Sequence, residues 1–374
     1  MNEKMGEHSS MEPGTTVGNA HEASREFGQS ARSSAPVFVL GSGRCGTKLL
    51  FSALLSAGGF AITHAESNAY NLLGLCFGSL SKRHNRRRLL DAYLASHIFR
   101  ESGLVPEDIS GPVMENCRNA GDFLKIVMEA ITQKQGARRW AESTPWHLHY
   151  LPLIKKQIPD ALIVHIIRDG RDVTASLHRA DMFGPMPWDR KRALIARAIY
   201  WRWIVNKGRR YGQTLGGDYM EVRYEDLVDR PRETLALIGR FIEHDLDYDK
   251  IRQVAFGMVD VPNTSFRGDG KESVASPVGR WQRVFTPHQL RDIEVVLEDA
   301  LPEHGYALQT PSTERRRSLA VRYMTVMHPL YLNLRVWLKS KTPLARFARK
   351  GYLRHSPATP RVECQEQENV TLSS

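Results

Sequence analysis

Short runs of apolar residues alternate along this chain with longer stretches in which apolar positions recur every three or four residues. The first pattern fits buried strands and the second amphipathic helices. The apolar runs fall at 37–40, 60–63, 162–167 and 219–223; helical spacing covers 48–57, 86–99, 122–133, 148–157, 173–178, 190–211, 232–242 and 287–301. Such alternation predicts an α/β fold of three layers, with a mostly parallel central sheet flanked by helices. Residues 67–136 and 180–187 read as insertions over the carboxyl edge of that sheet, where open α/β sheets bind ligands. Trp201 and Trp203 lie in the longest helical stretch and fit core and groove-lining positions.

The two ends differ from this body. Residues 1–34 are polar and rich in Ser, Gly and Glu, which predicts a disordered leader and not a signal peptide. No apolar run approaches the roughly 20 residues of a membrane-spanning helix. Cys45, Cys76, Cys117 and Cys364 are scattered without zinc or disulfide spacing, and a reducing, cytoplasmic setting is expected. The net charge of +11 is concentrated: 315–354 holds eleven basic residues and no acidic one. Apolar residues interleave with them, so 311–356 predicts a basic extension of one or two amphipathic helices broken near Pro329 and Pro343, followed by a disordered tail at 357–374. Such an extension either packs on the body with a solvated basic outer face or lies peripherally on an anionic membrane surface or acidic partner.

The strongest chemical signal follows the first apolar run. Gly41-Ser42-Gly43-Arg44-Cys45-Gly46-Thr47-Lys48 joins a strand to a helix, and such a junction aims loop amides and the helix dipole at one anion. Its P-loop-like spacing is that of a nucleotide-binding loop, but the ending is reversed: Thr47 precedes Lys48 where lysine should come first. Arg44 supplies a fixed cation, Thr47 a hydroxyl, and Cys45 fits a small-residue slot. A second junction follows 162–167, where Arg168-Asp169-Gly170-Arg171-Asp172 leads to Ser176. Arg168 and Ser176 can converge on another anion; alone, the segment also fits a salt-bridged turn.

The two loops together resemble the PAPS-dependent sulfotransferases, whose donor is 3′-phosphoadenosine 5′-phosphosulfate (PAPS). In that family the first loop, roughly P-[KR]-S-G-T-T, binds the 5′-phosphosulfate; Gly43, Arg44, Cys45, Gly46, Thr47 and Lys48 match it, with Cys45 for serine and Lys48 for the second threonine. The second, R-x-P-R-D-x-x-x-S, binds the 3′-phosphate; Arg168 and Ser176 match, with Gly170 for proline. Trp140-Ala141-Glu142-Ser143-Thr144-Pro145, Arg223-Tyr224-Glu225-Asp226-Leu227 and Gly279-Arg280-Trp281 resemble three further family segments. The resemblance spans about 37–306 and implies a sulfotransferase domain at 35–310, with Tyr224 and Arg280 completing the nucleotide pocket. Ser143 departs from the pattern, standing where many members carry a lysine that touches the transferred group.

The chemistry so implied is in-line sulfuryl transfer to a hydroxyl, with no metal required. Arg44 would stabilise the leaving phosphate. A general base is also needed, and Thr63-His64-Ala65-Glu66-Ser67 holds two, of which Glu66 matches the role of a glutamate in the Golgi carbohydrate and tyrosylprotein members; His64 is the alternative. His147 and His149, two residues apart, fit packing or acceptor-site positions and not a metal pair. The acceptor could be a glycan, lipid, protein or small molecule, and the basic extension favours a lipid, glycan or membrane-bound polymer. A P-loop kinase, or a nucleic-acid or membrane-binding protein acting through the basic extension, are the competing readings; no nucleic-acid partner is expected from the paired loops.

Overall fold

The computed structural model describes residues 31–187, 189–254, 278–315 and 318–342. Four strands, β1 (Val37–Leu40), β2 (Ala141–Glu142), β3 (Leu162–Ile167) and β4 (Tyr219–Arg223), form one parallel sheet in the order β2-β1-β3-β4. Every residue of β1 and β3 is buried, so both faces of the sheet centre are covered and the α/β, P-loop-like expectation holds. After β1 the chain pairs on one side as β2, then crosses to the other as β3. The gap between β1 and β3 is therefore the switch point at which open α/β sheets bind ligands. The register Val37↔Leu162 to Leu40↔His165 brings the loops that leave these strands side by side.

Residues 60–63 do not form the expected strand; only a bridge between Phe60 and Arg139 is present. The Gln135 carboxamide explains this. Its Oε1 accepts the Ile62 N–H at 2.7 Å and its Nε2 donates to the Ile62 carbonyl at 2.9 Å, which uses the groups a neighbouring strand would need. The strand beside β1 is β2 instead, too short to show a period in the sequence.

Five helices position the site: α1 (Thr47–Ser56), α2 (Gly170–Arg179), α3 (Ala193–Gly212), α4 (Pro287–Leu297) and α5 (Leu319–Lys341). The central one, α3, packs on α2, α4 and α5, and Trp201 on α3 is fully buried. The helix expected at 86–99 divides into Arg83–Leu94 and His97–Glu101. Ser96 causes the break, because its hydroxyl caps the second piece by accepting the Phe99 N–H at 3.2 Å.

The last four residues of the expected disordered leader, Ala31–Ser34, are helical. Arg32 fastens them by donating to the Phe241 carbonyl at 2.6 Å and to the Asp218 carboxylate at 3.2 Å. At the other end α5 runs through Pro329 unbroken. Val321, Met324, His328 and Leu332, on both sides of the proline, are buried against the body, and this packing outweighs the hydrogen bond that Pro329 cannot make. The remaining expectations for the termini, including Pro343, the basic residues from 346 onward, Cys364 and the tail, lie outside the described residues.

Candidate active site at the switch point

The first loop turns on two left-handed residues, Arg44 (φ 70°) and Gly46 (φ 103°). Arg44 carries backbone strain of the kind concentrated at ligand sites. At Gly46 a side chain is excluded outright, since a Cβ there would stand 2.3 Å from the Tyr224 ring. The loop thus rests directly on Tyr224, the first residue of the short helix after β4, and α1 begins immediately after it. Cys45 is fully buried, and burial pushes its thiol up to about 12, so it is an inert packing residue. Thr47 is buried in the first turn of α1, whereas Arg44 and Lys48 are exposed.

The second loop meets the first through side chains. Arg44 Nε donates to Ser176 Oγ at 3.0 Å, and Arg168 Nη1 donates to the Arg44 carbonyl at 3.3 Å. The Arg168 guanidinium also lies 4.7 Å from the centre of the Tyr224 ring. Arg280 is near enough for its charge to act on the Tyr224 hydroxyl. Gly43, Arg44, Cys45, Gly46, Thr47, Arg168, Ser176, Tyr224 and Arg280 are therefore gathered at one end of the β1/β3 gap.

Asp172, a residue that sequence reasoning missed, ties this cluster together. Its carboxylate pairs with Arg168 at 3.5 Å and accepts the N–H groups of Gly279 at 2.8 Å and Trp281 at 2.9 Å. Arg171 is structural: it pairs with Asp169 at 2.7 Å and Glu294 at 2.6 Å and lies 4.1 Å from the Trp281 ring centre. The ion pairs expected of a surface turn thus exist, but they are buried. Gly170 replaces the family's proline at a place with no room for a ring, since even a Cβ would come within 2.7 Å of Trp201.

The segment holding the two candidate bases divides. His64 is exposed and lines a cavity of about 40 Å³ walled by Tyr93, Ile98 and Leu124. Glu66 faces the first loop closely enough to feel the Lys48 charge. Burial, followed by the nearby Glu142 carboxylate, raises the Glu66 pKa against the opposing influence of Lys48 and His147. Glu142 accepts from the Ser67 hydroxyl at 2.7 Å and the Thr144 N–H at 2.9 Å and faces His147 Nδ1 at 2.9 Å. Burial alone would raise its pKa, but His147 and these hydrogen bonds hold it at about 2. His147 Nε2 lies 3.3 Å from the Tyr70 N–H, so the ring bridges Glu142 and Tyr70.

Beside the first loop a cavity of about 340 Å³ opens between α3 and α5. Phe183 and Tyr200 form the wall it shares with that loop. The Phe183 ring would meet a Cβ on Gly43 at 3.2 Å, and the Tyr200 hydroxyl lies against the Gly43 amide. Trp203, another cavity residue, donates from Nε1 to Asn333 Oδ1 of α5 at 3.1 Å. His149 packs 4.5 Å from the Trp203 ring and 5.2 Å from Trp146, as a packing residue behind this wall.

The outer face of α5 is not the basic surface expected of a packed extension. It exposes Leu319, Tyr323, Val326, Leu330, Leu334 and Trp337 in one helical stripe, with Leu319 at 83%, Val326 at 60% and Trp337 at 54%. No helix among the described residues is long and apolar enough to cross a membrane. Among the described residues no group of three or more His, Cys, Asp or Glu side chains could hold a metal ion.

Three solved structures are similar at low identity. The sulfotransferase domain of the Synechococcus PCC 7002 olefin synthase is 18% identical, with 80% of this chain and 94% of that one covered and a TM-score of 0.43. Sulfotransferase STF9 of Mycobacterium avium is 13% identical, with 74% and 78% covered and a TM-score of 0.42. Mouse sulfotransferase SULT7A1, solved in complex with PAP, is 15% identical, with 80% and 93% covered and a TM-score of 0.38. No curated protein sequence matches. A family model described as the sulfotransferase family matches residues 36–248, more than half of the chain and both strand-to-helix loops, and the protein belongs to that family.

Proposed function

We propose that this protein transfers the sulfuryl group of PAPS to an acceptor hydroxyl. The observation that supports this most is the Arg44–Ser176 hydrogen bond, which joins two strand-to-helix anion loops at the switch point. The residues fit the donor: the Gly46 cradle admits backbone close to a phosphate, Arg44 and Thr47 would hold the 5′ end, and Arg168 and Ser176 the 3′-phosphate. Tyr224 and Arg280 would flank the nucleotide, and Lys48 would add charge from the first turn of α1. When bound, PAPS supplies a sulfuryl group whose S–O bond to phosphate breaks as the acceptor oxygen bonds to sulfur. Loop amides and Arg44 stabilise the charge left on the phosphate. Glu66 takes the acceptor proton, with His64 as the weaker choice because it lines a separate cavity. A raised pKa suits Glu66 to that work near neutrality, and no step calls for a metal.

Incubation with PAPS carrying radioactive sulfur and fractionated cell extract should label an acceptor, and should do so equally in the presence of a chelator. Binding of magnesium–ATP in place of PAP would restore the kinase reading.

We assign a second property to α5: peripheral contact with an anionic membrane surface, on the cytoplasmic side of a bilayer. Its exposed apolar stripe includes interfacial Tyr323 and Trp337, and residues 315–354 contain no acid to repel anionic lipid. Cosedimentation with phosphatidylserine vesicles tests this.

A further inference from the structure

The cavity between α3 and α5 is built for something more specific than a hydroxyl. Its body is aromatic, with Trp146, Phe183, Tyr200 and Trp203 on the wall that α3 and the first loop support. Phe183 and Tyr200 stack at 3.9 Å with an interplanar angle of 15°, and Trp146 lies 5.4 Å from Phe183. Such a wall favours flat rings over flexible chains. The facing wall comes from α5, beyond the region matched by the family model, and places Arg335 and Lys339 one helical turn apart at the rim. Arg335 lies 5.6 Å from the Tyr331 ring centre, and neither cation has a carboxylate partner among the described residues. Two like charges held this close favour an anion between them.

Two residues that line the cavity each carry a polar atom without a partner. His328, 1% exposed, leaves Nδ1 without a hydrogen-bond partner, and so does the buried Asn71 Oδ1. Buried polar atoms in this condition are costly and concentrate where structure serves function. Asn71 leads back to the candidate base: its Nδ2 donates to Asn68 Oδ1 at 2.7 Å, and Asn68 Nδ2 donates to the Glu66 carbonyl at 3.1 Å. It sits in a π-helical turn, Ala69–Leu73, a distortion often found at functional sites.

We propose that this cavity is the acceptor pocket and that it takes a small aromatic molecule with a hydroxyl at one end and a carboxylate, phosphate or sulfate at the other. Arg335 and Lys339 take the acid, and the aromatic wall, which Phe183 and Tyr200 share with the first loop, holds the ring. This rests on the sulfotransferase reading for the reaction, but the recognition can be tested without it. The probes are a hydroxynaphthoate and the matching neutral hydroxynaphthamide, each titrated by calorimetry into the full chain and into Arg335→Gln/Lys339→Gln, with PAP titrated separately. The acid should bind the wild type about tenfold more tightly than the amide, a ratio the double variant should lose while its PAP affinity stays unchanged. Equal binding of acid and amide, binding of neither, or a preference that survives in the double variant overturns the pocket assignment. Absence of PAP binding to the wild type would instead overturn the donor reading, with the ratio of acid to amide still deciding the pocket. Hydroxynaphthyl phosphate and a hydroxylated alkanoate, as further probes, separate the choice of acid from the choice of ring.

Discussion

Arg44 and Ser176 stand 132 residues apart in the chain and 3.0 Å apart in space, joined by a hydrogen bond from Nε to Oγ. That contact joins the two strand-to-helix loops. Arg44→Ala should weaken PAP binding by about ten- to a hundredfold, the range of a lost charge-assisted contact, and Ser176→Ala by roughly three- to tenfold. Calorimetry with PAP measures both, and affinities within twofold of wild type would remove these residues from the donor site.

Gly46→Ala combines two faults: an L residue forced to a φ of 103° and a methyl group 2.3 Å from the Tyr224 ring. It should cost about 1–3 kcal/mol of stability and displace the loop. Chemical denaturation reads the first effect and PAP titration the second. Adding Tyr224→Leu should relieve the clash but not the strain, leaving binding below wild type.

Because burial and Glu142 raise the Glu66 pKa, and a base works only when deprotonated, activity should be full at higher pH and fall as pH drops through that raised value. The acid limb of kcat/KM should therefore lie above the range of an ordinary glutamate. Lys48→Ala removes a charge that lowers this pKa and should move the limb to still higher pH. Glu66→Gln should abolish turnover while PAP binding persists; turnover near the wild-type rate would return the role of base to His64.

The apolar stripe of α5 gives a separate prediction. Leu330→Ser/Trp337→Ser should lose most binding to phosphatidylserine vesicles, with PAP affinity and thermal stability close to wild type, because both side chains are exposed. Wild-type binding that is no stronger to anionic than to neutral vesicles would rule out the electrostatic part of the contact.

Much of this site was readable from the amino-acid order because its chemistry is local. Gly43 to Thr47 and Arg168 to Ser176 each lie within one strand-to-helix junction, and the apolar runs of β1 and β3 announce those junctions. What escaped depends on distant partners. Asp172 looked like half of a surface ion pair until Gly279 and Trp281, more than a hundred residues later, supplied its other contacts. Residues 60–63 have strand composition, but one glutamine side chain takes their hydrogen bonds. The basic count at the C-terminal end was visible; the faces of α5 on which its apolar residues would fall relative to the body were not.

Only 23 residues form α5, and they follow the stretch that matches the sulfotransferase family. On the proposals above, one side of this rod reads the acid of the acceptor and the opposite side meets the membrane. Exchanging that rod should then change which acid is read and where the protein works, while the aromatic wall on the body goes on selecting the ring.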